Sequence, residues 1–246
     1  MNSFTHDQIA LRGAGMVNIT QPEKGARFTL DSLLLADFCR FKPRDAILEP
    51  GSGTGVISLL LAKKYPRASV VSVEVQATVA KLCSQNIADN GLDGRIVLLN
   101  QDIREIHRSL KPASFDAIVA NPPYSRIGTG RQSPVQDRST SRHDRLGTIQ
   151  AWLDLRIFLR NRGRYFLVFP AGRTAEILSL LRAGKLEPKR IRFVHTRQDN
   201  PALLILIEAM KSAGPGLEVL APLIVHEAGG FSPEMRQIYD AELSHH

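Results

Sequence analysis

Cysteine is scarce in this sequence, and an apolar run of membrane-spanning length is missing. The two cysteines, Cys39 and Cys83, lie far apart in apolar helical contexts. They form neither a disulfide framework nor a zinc site and read as buried thiols, so no metal is expected. No stretch reaches the ~18 apolar residues of a transmembrane helix. The longest, Ala202–Ile207, reads as a buried strand. Met1–Gly15 holds no apolar run suited to a signal peptide, so a cytoplasmic protein without membrane association is expected. Internal repeats and low-complexity linkers are also missing. What remains is an ordinary 43% of hydrophobic residues in 246. That suits one domain with a short accessory segment, at roughly 150 residues per domain. A core of this size needs no disulfide or metal staple.

Charge is present in excess and unevenly. The net charge is +8, yet residues 125–197 carry 14 Arg and 2 Lys against 3 Asp and 2 Glu, a local +11. The rest of the chain is therefore slightly acidic. A concentrated basic half suits a nucleic-acid partner, because neutralising phosphates releases their counterions. The preference for Arg over Lys favours phosphate and base contact over mere solubility.

Along the chain, residues 1–30 are Gly-rich and polar and read as an arm. Asp31–Phe41 predicts a helix, with Asp31 as N-cap or in the first turn. Strands are predicted at 46–49, Ala68–Glu74, Ile96–Asn100, Phe115–Ala120 and Arg164–Phe169. A hairpin is predicted from Ile191–Thr196 and Ala202–Glu208. Helices are predicted at Val56–Lys64, Gln76–Asn90, Thr148–Leu159 and Thr174–Arg182. Residues 125–145, with Gly, Ser, Thr, Pro and Arg but no apolar period, read as a long surface loop. Alternating strands and helices predict an α/β fold: a mostly parallel sheet of seven strands, one antiparallel, covered by helices on both faces. The chain divides into an arm with its first helix (1–40), a ligand-binding core (41–210) and a C-terminal extension (211–246).

Three acids and three glycines mark a candidate cofactor site. Glu49-Pro50-Gly51-Ser52-Gly53-Thr54-Gly55 leaves a strand and opens a helix. Glycine is wanted where backbone turns tightly and approaches a ligand. The spacing is Gly-x-Gly-x-Gly, whereas a dinucleotide site requires Gly-x-Gly-x-x-Gly with pyrophosphate at the helix N-terminus. Glu49 would repel a pyrophosphate but suits an ammonium group. Glu74, closing the second strand, can accept from ribose hydroxyls, and Asp102, just past the third, from the exocyclic amine of adenine. All three lie at carboxyl ends of strands, where open α/β sheets bind ligands.

The sharpest motif is Asn121-Pro122-Pro123-Tyr124, directly after the strand Phe115–Ala120. Two prolines fix the backbone and remove two N–H donors. An acceptor-rich turn remains, made of the Asn121 side-chain oxygen and the Pro122 carbonyl. An amine on an aromatic ring or amide is a weak nucleophile whose lone pair is delocalised. Two acceptors holding its hydrogens would draw charge onto nitrogen and aim it at an electrophile. Tyr124 offers a stacking face for a planar base, worth ~1–3 kcal/mol.

Together, the Gly51/Gly53/Gly55 turn, Glu74, Asp102 and Asn-Pro-Pro-Tyr resemble the class I, Rossmann-like methyltransferases that act on amino groups. The likeness covers residues ~28–208. It implies S-adenosylmethionine as cofactor, Asn121 touching both cofactor and target amine, and Pro122, Pro123 and Tyr124 completing the catalytic turn. Pro50, where that family more often has an apolar or small residue, departs from the pattern. Gln21-Pro22, Gly25–Ala36, Arg131–Pro134, Ser141–Asp144, Pro222–His226 and Tyr239 resemble a narrower group. These are the bacterial methyltransferases of the 6-amino group of the adenine beside the anticodon of a valine tRNA. That resemblance implies Thr29 and Asp31 over the methionine part of the cofactor, and tRNA as partner. Arg126, Arg131, Arg138, Arg142 and Arg145 are the candidate phosphate contacts, in a loop that orders on RNA binding.

Other amines remain alternatives: guanine or adenine of ribosomal RNA, adenine of DNA, or a release-factor glutamine. Each of those enzymes usually carries a larger N-terminal half or a recognition domain, for which this chain has too few residues. A non-catalytic RNA-binding module on the same fold is a further alternative, opposed by the intact glycine turn and tetrapeptide. A dehydrogenase is opposed by the glycine spacing. His143 and His226 read as solvated or hydrogen-bonding residues.

Overall fold

The computed structural model describes residues 4–23, 27–123 and 149–239. The chain opens with a hairpin of two antiparallel strands, β1 (Phe4–Leu11) and β2 (Gly15–Pro22), in place of the irregular arm expected there. Ile9, Ala10 and Leu11 are buried on one strand, and Val17 and Ile19 on the other. The hairpin rests its apolar face on two helices, α2 (Val56–Lys64) and α3 (Ala77–Asp89). Between hairpin and core runs α1 (Leu30–Phe38), almost entirely buried.

The main sheet contains a run of five parallel strands, β3 (Ala46–Pro50), β4 (Ser69–Val73), β5 (Ile96–Leu99), β6 (Phe115–Ala120) and β7 (Leu159–Pro170), with β5 at the edge. β8 (Leu186–His195) and β9 (Ala202–Lys211) follow as the expected hairpin, with β9 antiparallel between β7 and β8. The order β8-β9-β7-β6-β3-β4-β5 is the seven-stranded sheet that the alternation predicted. Two short strands, β10 (Glu218–Val219) and β11 (Leu223–Ile224), add parallel to β8 and bring this sheet to nine. A last small ribbon, β12 (His226–Glu227) with β13 (Gly230–Phe231), leads to α6 (Pro233–Ile238), capped by Ser232.

Burial on both faces explains why the central strands read as unbroken apolar runs. Ile47, Val70, Ala117 and Val119 face one cluster, with α1, α2 and the N-terminal hairpin; Leu48, Val73, Ile118 and Ala120 face the other. That second face is covered by helical residues 149–154 (α4) and by α5 (Thr174–Ala183). The predicted helix Thr148–Leu159 is shorter than its pattern: it passes into a 3-10 turn at Leu155–Phe158, and β7 starts at Leu159. There Arg160, Asn161, Arg162 and Gly163 bulge out of the pairing with β6. The predicted 125–145 loop lies outside the described residues.

Candidate active site

The carboxyl ends of β3, β4, β5 and β6 lie along one edge of the sheet, with Glu49, Glu74, Asp102 and Asn121 at or just beyond them. After β3 the chain turns through Gly51, Gly53 and Gly55, all in the left-handed region (φ 63°, 58° and 90°). Gly51 and Gly55 are required by close packing as well as by φ. A Cβ on Gly51 would stand 2.4 Å from the Trp152 ring, and one on Gly55 would stand 2.7 Å from Cys83 Sγ. Gly53 differs, since a Cβ there would meet nothing within 4 Å. That open side is the part of the turn a ligand can approach.

Glu74 is locked to the same turn. Its Oε2 accepts from the Gly53 N–H at 3.0 Å and its Oε1 from the Gln76 N–H at 2.8 Å. A carboxylate has about four lone-pair sites, so each oxygen keeps capacity for a hydroxyl. Asn100, by donating to the Glu74 and Val75 carbonyls, ties the end of β5 to that of β4. Beside it, Gln101 Oε1 is buried with no partner. Asp102 follows, its carboxylate gripped by the Arg104 guanidinium at 2.5 Å and by the Arg104 N–H at 2.8 Å. These contacts hold the Asp102 carboxyl below the usual range. Arg104 is 75% exposed, and such a pair is weakly held and screened, so a bound amine can displace it. An anchored carboxylate, an orphaned buried acceptor and a second carboxylate in sequence fit a nucleoside with adjacent hydroxyls and an exocyclic amine.

Glu49 lies lower. Its carboxyl is buried under the turn, bonded to the Ser58 hydroxyl of α2, which in turn lies 2.6 Å from Ser72 Oγ of β4. Burial pushes its pKa up to about 8, against the pull of the Ser58 bond. Burial thus favours the neutral form of Glu49.

At the end of β6, the Asn121 side chain meets α1. Its Nδ2 donates to Ser32 Oγ at 3.2 Å, which leaves Oδ1 as an acceptor with no partner among the described residues. Pro122 is buried and Pro123 exposed. The contact with Ser32 brings in the start of α1, where Thr29 is the N-cap residue and Asp31 is buried in the first turn. Tyr124 and the five loop arginines, Arg126, Arg131, Arg138, Arg142 and Arg145, lie outside the described residues. His226 stacks on Phe231 at 5.2 Å, a packing role.

Sequence reasoning missed Ser32, Ser58 and Trp152 as supports of this site. The first two are common residues inside helices, and nothing local marks them. Trp152 is the only tryptophan of the chain, and its apolar helix announces burial without saying against what.

A Rossmann-like sheet with this turn and this edge defines a methyltransferase, an enzyme class whose methyl donor is S-adenosylmethionine. The chain belongs to the methyltransferase small domain family, whose match spans residues 14–137. A relative from Vibrio campbellii, named tRNA1(Val) (adenine(37)-N6)-methyltransferase, is 26% identical over 88% of this chain and 88% of its own length. One of the same name from Bacteroides fragilis is 29% identical over 72% of this chain and 74% of its own. Among solved structures, an Agrobacterium tumefaciens protein titled a predicted O-methyltransferase superposes with a TM-score of 0.69 at 21% identity, over 85% of this chain and 95% of that one. A Thermotoga maritima SAM-dependent O-methyltransferase gives 0.53 at 20% identity, over 78% and 68%. These two likenesses establish the fold. Among the described residues, no helix is long and apolar enough to cross a membrane.

Proposed function

We infer that this methyltransferase uses S-adenosylmethionine to methylate the exocyclic 6-amino group of an adenine in tRNA, next to the anticodon. The names of the relatives support the substrate. The observation that carries the chemistry is the Asn121–Ser32 contact: Nδ2 donates to Ser32 Oγ, which orients the amide and leaves Oδ1 as an acceptor without a partner among the described residues. Oδ1 and the Pro122 carbonyl take the two amine hydrogens and orient the nitrogen lone pair. Tyr124 stacks on the base. The cofactor, when bound, supplies an electrophilic methyl on a positively charged sulfur. Glu74 would hold its ribose hydroxyls and Asp102 its adenine amine once Arg104 has moved aside, while Gly51 and Gly55 shape the turn by close packing and Gly53 offers the open side a ligand would approach. Thr29 and Asp31 cover the methionine end, and Glu49 answers its ammonium from below. No strong general base is required, because the methylated amine is acidic and loses its proton to solvent. A base already unstacked in an RNA loop is easily splayed into such a site. The partner is tRNA, and the setting the cytoplasm.

The test is transfer of labelled methyl from S-adenosylmethionine to bulk tRNA, ribosomal RNA, DNA and release factor, followed by nucleoside analysis. Label is expected as 6-methyladenosine in tRNA; label confined to protein or ribosomal RNA refutes the substrate. Asn121→Ala is expected to abolish transfer while cofactor affinity stays within a few-fold. Joint loss of both would contradict the division of roles.

A further inference from the structure

We propose that a basic recess at the opposite edge of the sheet binds the phosphate backbone of the substrate RNA, away from the target nucleotide. The recess, about 530 Å³, is lined by Lys42, Pro43, Arg44, Asp45, Arg67, Asp116 and Arg160. It lies at the amino ends of β3, β6 and β7, whereas the reacting edge is at their carboxyl ends. The six residues of β6 separate the two, roughly 20 Å at 3.3 Å per residue.

Three of its four cations are uncompensated. The Asp116 carboxylate is taken by the Ala46 N–H at 2.9 Å and by Arg160 at 2.5 Å. Asp45 is taken by the Lys42 N–H at 2.9 Å and by the Arg164 guanidinium. The side chains of Lys42, Arg44 and Arg67 are exposed and have no acidic partner among the described residues. The contrast with the arginine-rich stretch is sharp. Seven of its nine described arginines, from Arg156 to Arg192, stand in ion pairs. Unpaired positive charge is therefore concentrated in space at a place where the sequence shows no run.

The β7 bulge adds to it. Arg160 reaches the recess from the bulge, and exposed Arg162 beside it holds φ at 60°, a conformation uncommon outside glycine. The recess is open, and its cations come from three separate segments. That form suits successive phosphates of a polynucleotide better than one small anion. Exposed arginines and lysines of this kind position a nucleic acid without reading its sequence. At some 20 Å from Asn121, they would meet the stem or body of the RNA.

The inference rests on the proposed tRNA substrate. Its test is the triple variant Lys42→Ala/Arg44→Ala/Arg67→Ala, changing exposed side chains only and checked for an unchanged melting temperature. Binding and methyl transfer are measured with full-length tRNA and with an isolated anticodon stem-loop at several salt concentrations. With tRNA, affinity is expected to fall at least tenfold at low salt. The slope of log affinity against log salt should flatten by roughly 2, at about 0.7–0.9 per lost phosphate contact. Transfer to the stem-loop should be unchanged. An unchanged tRNA slope, or equal losses on both RNAs, overturns the inference. So does competition by millimolar inorganic phosphate that the variant abolishes while its tRNA slope persists, which assigns the recess to small anions. Absence of tRNA methylation by the unsubstituted protein refutes the proposed function itself, a separate reading.

Discussion

At Glu49 a carboxyl sits where water does not reach it, and the consequence is measurable. With its pKa raised to about 8 from an ordinary 4.5, mainly by burial, the folded state binds this proton more tightly than the unfolded chain does. The resulting stabilisation is full below pH 4.5. It declines as pH rises through 8 and is lost above that, by at most about 1.4 kcal/mol per pH unit. Glu49→Gln keeps the shape and the Ser58 contact but cannot ionise. Wild-type stability to denaturant is therefore expected to fall relative to Glu49→Gln between pH 5 and 9, with the two curves diverging upward in pH. Parallel curves would mean that Glu49 ionises freely and that the hydroxyls of Ser58 and Ser72 already offset its burial. The residue type at this position was legible in the sequence, and so was its place before the glycine turn. Its depth was not, because the Ser58 hydroxyl that bonds it and the Ser72 hydroxyl behind that come from α2 and β4, 9 and 23 residues further along the chain. Asn121 shows the same division: its oxygen as acceptor follows from the tetrapeptide, while the Ser32 partner 89 residues away does not.

Between elements, one side chain joins the N-terminal hairpin to the cofactor turn. Asn86, fully buried on α3, accepts from the Thr20 N–H at 2.7 Å and donates to the Thr20 carbonyl and the Thr54 carbonyl, both at 2.9 Å. It thereby replaces a strand neighbour for β2 and pins the middle of the glycine turn. Asn86→Ala leaves three backbone groups without their partner, the buried Thr54 carbonyl and the half-buried N–H and carbonyl of Thr20, and a buried group left unpaired costs about 1–3 kcal/mol. A loss of several kcal/mol in unfolding free energy is expected, with early proteolysis of the hairpin. A variant as stable as the wild type would show that water replaces the amide without loss. Strongly periodic elements were legible: α2 and β6 begin and end where their patterns say. The hairpin was hidden because its first half mixes exposed and half-buried polar residues. Its turn, Arg12–Ala14 between Leu11 and Gly15, looks like a glycine-rich arm until α2 and α3 supply the surface that buries Ile9, Leu11, Val17 and Ile19. The length of β7 was hidden by its bulge, where exposed arginines interrupt the apolar run.

Across the whole molecule, the sequence concentrates positive charge in residues 125–197, but folding redistributes it. Arg164 and Arg160 are drawn to Asp45 and Asp116. Arg190 is drawn to Glu208, and Arg192 to Glu234 on α6, so acids from outside the stretch take up part of its charge. A linear count cannot anticipate this, since ion pairing depends on which strands become neighbours. Five arginines of the stretch, Arg126, Arg131, Arg138, Arg142 and Arg145, follow the tetrapeptide in sequence. If these contact the phosphates flanking the target adenine, charge reversal at Arg131 and Arg142 weakens binding to tRNA and to an isolated anticodon stem-loop alike. Each lost phosphate contact also lowers the salt slope by about 0.7–0.9. Loss on both RNAs separates this segment from the distant recess, whose removal is felt by the full tRNA only. An unchanged slope on the stem-loop would take the segment out of the RNA site and leave recognition of the anticodon loop to Tyr124 and the acceptors of the Asn-Pro-Pro turn.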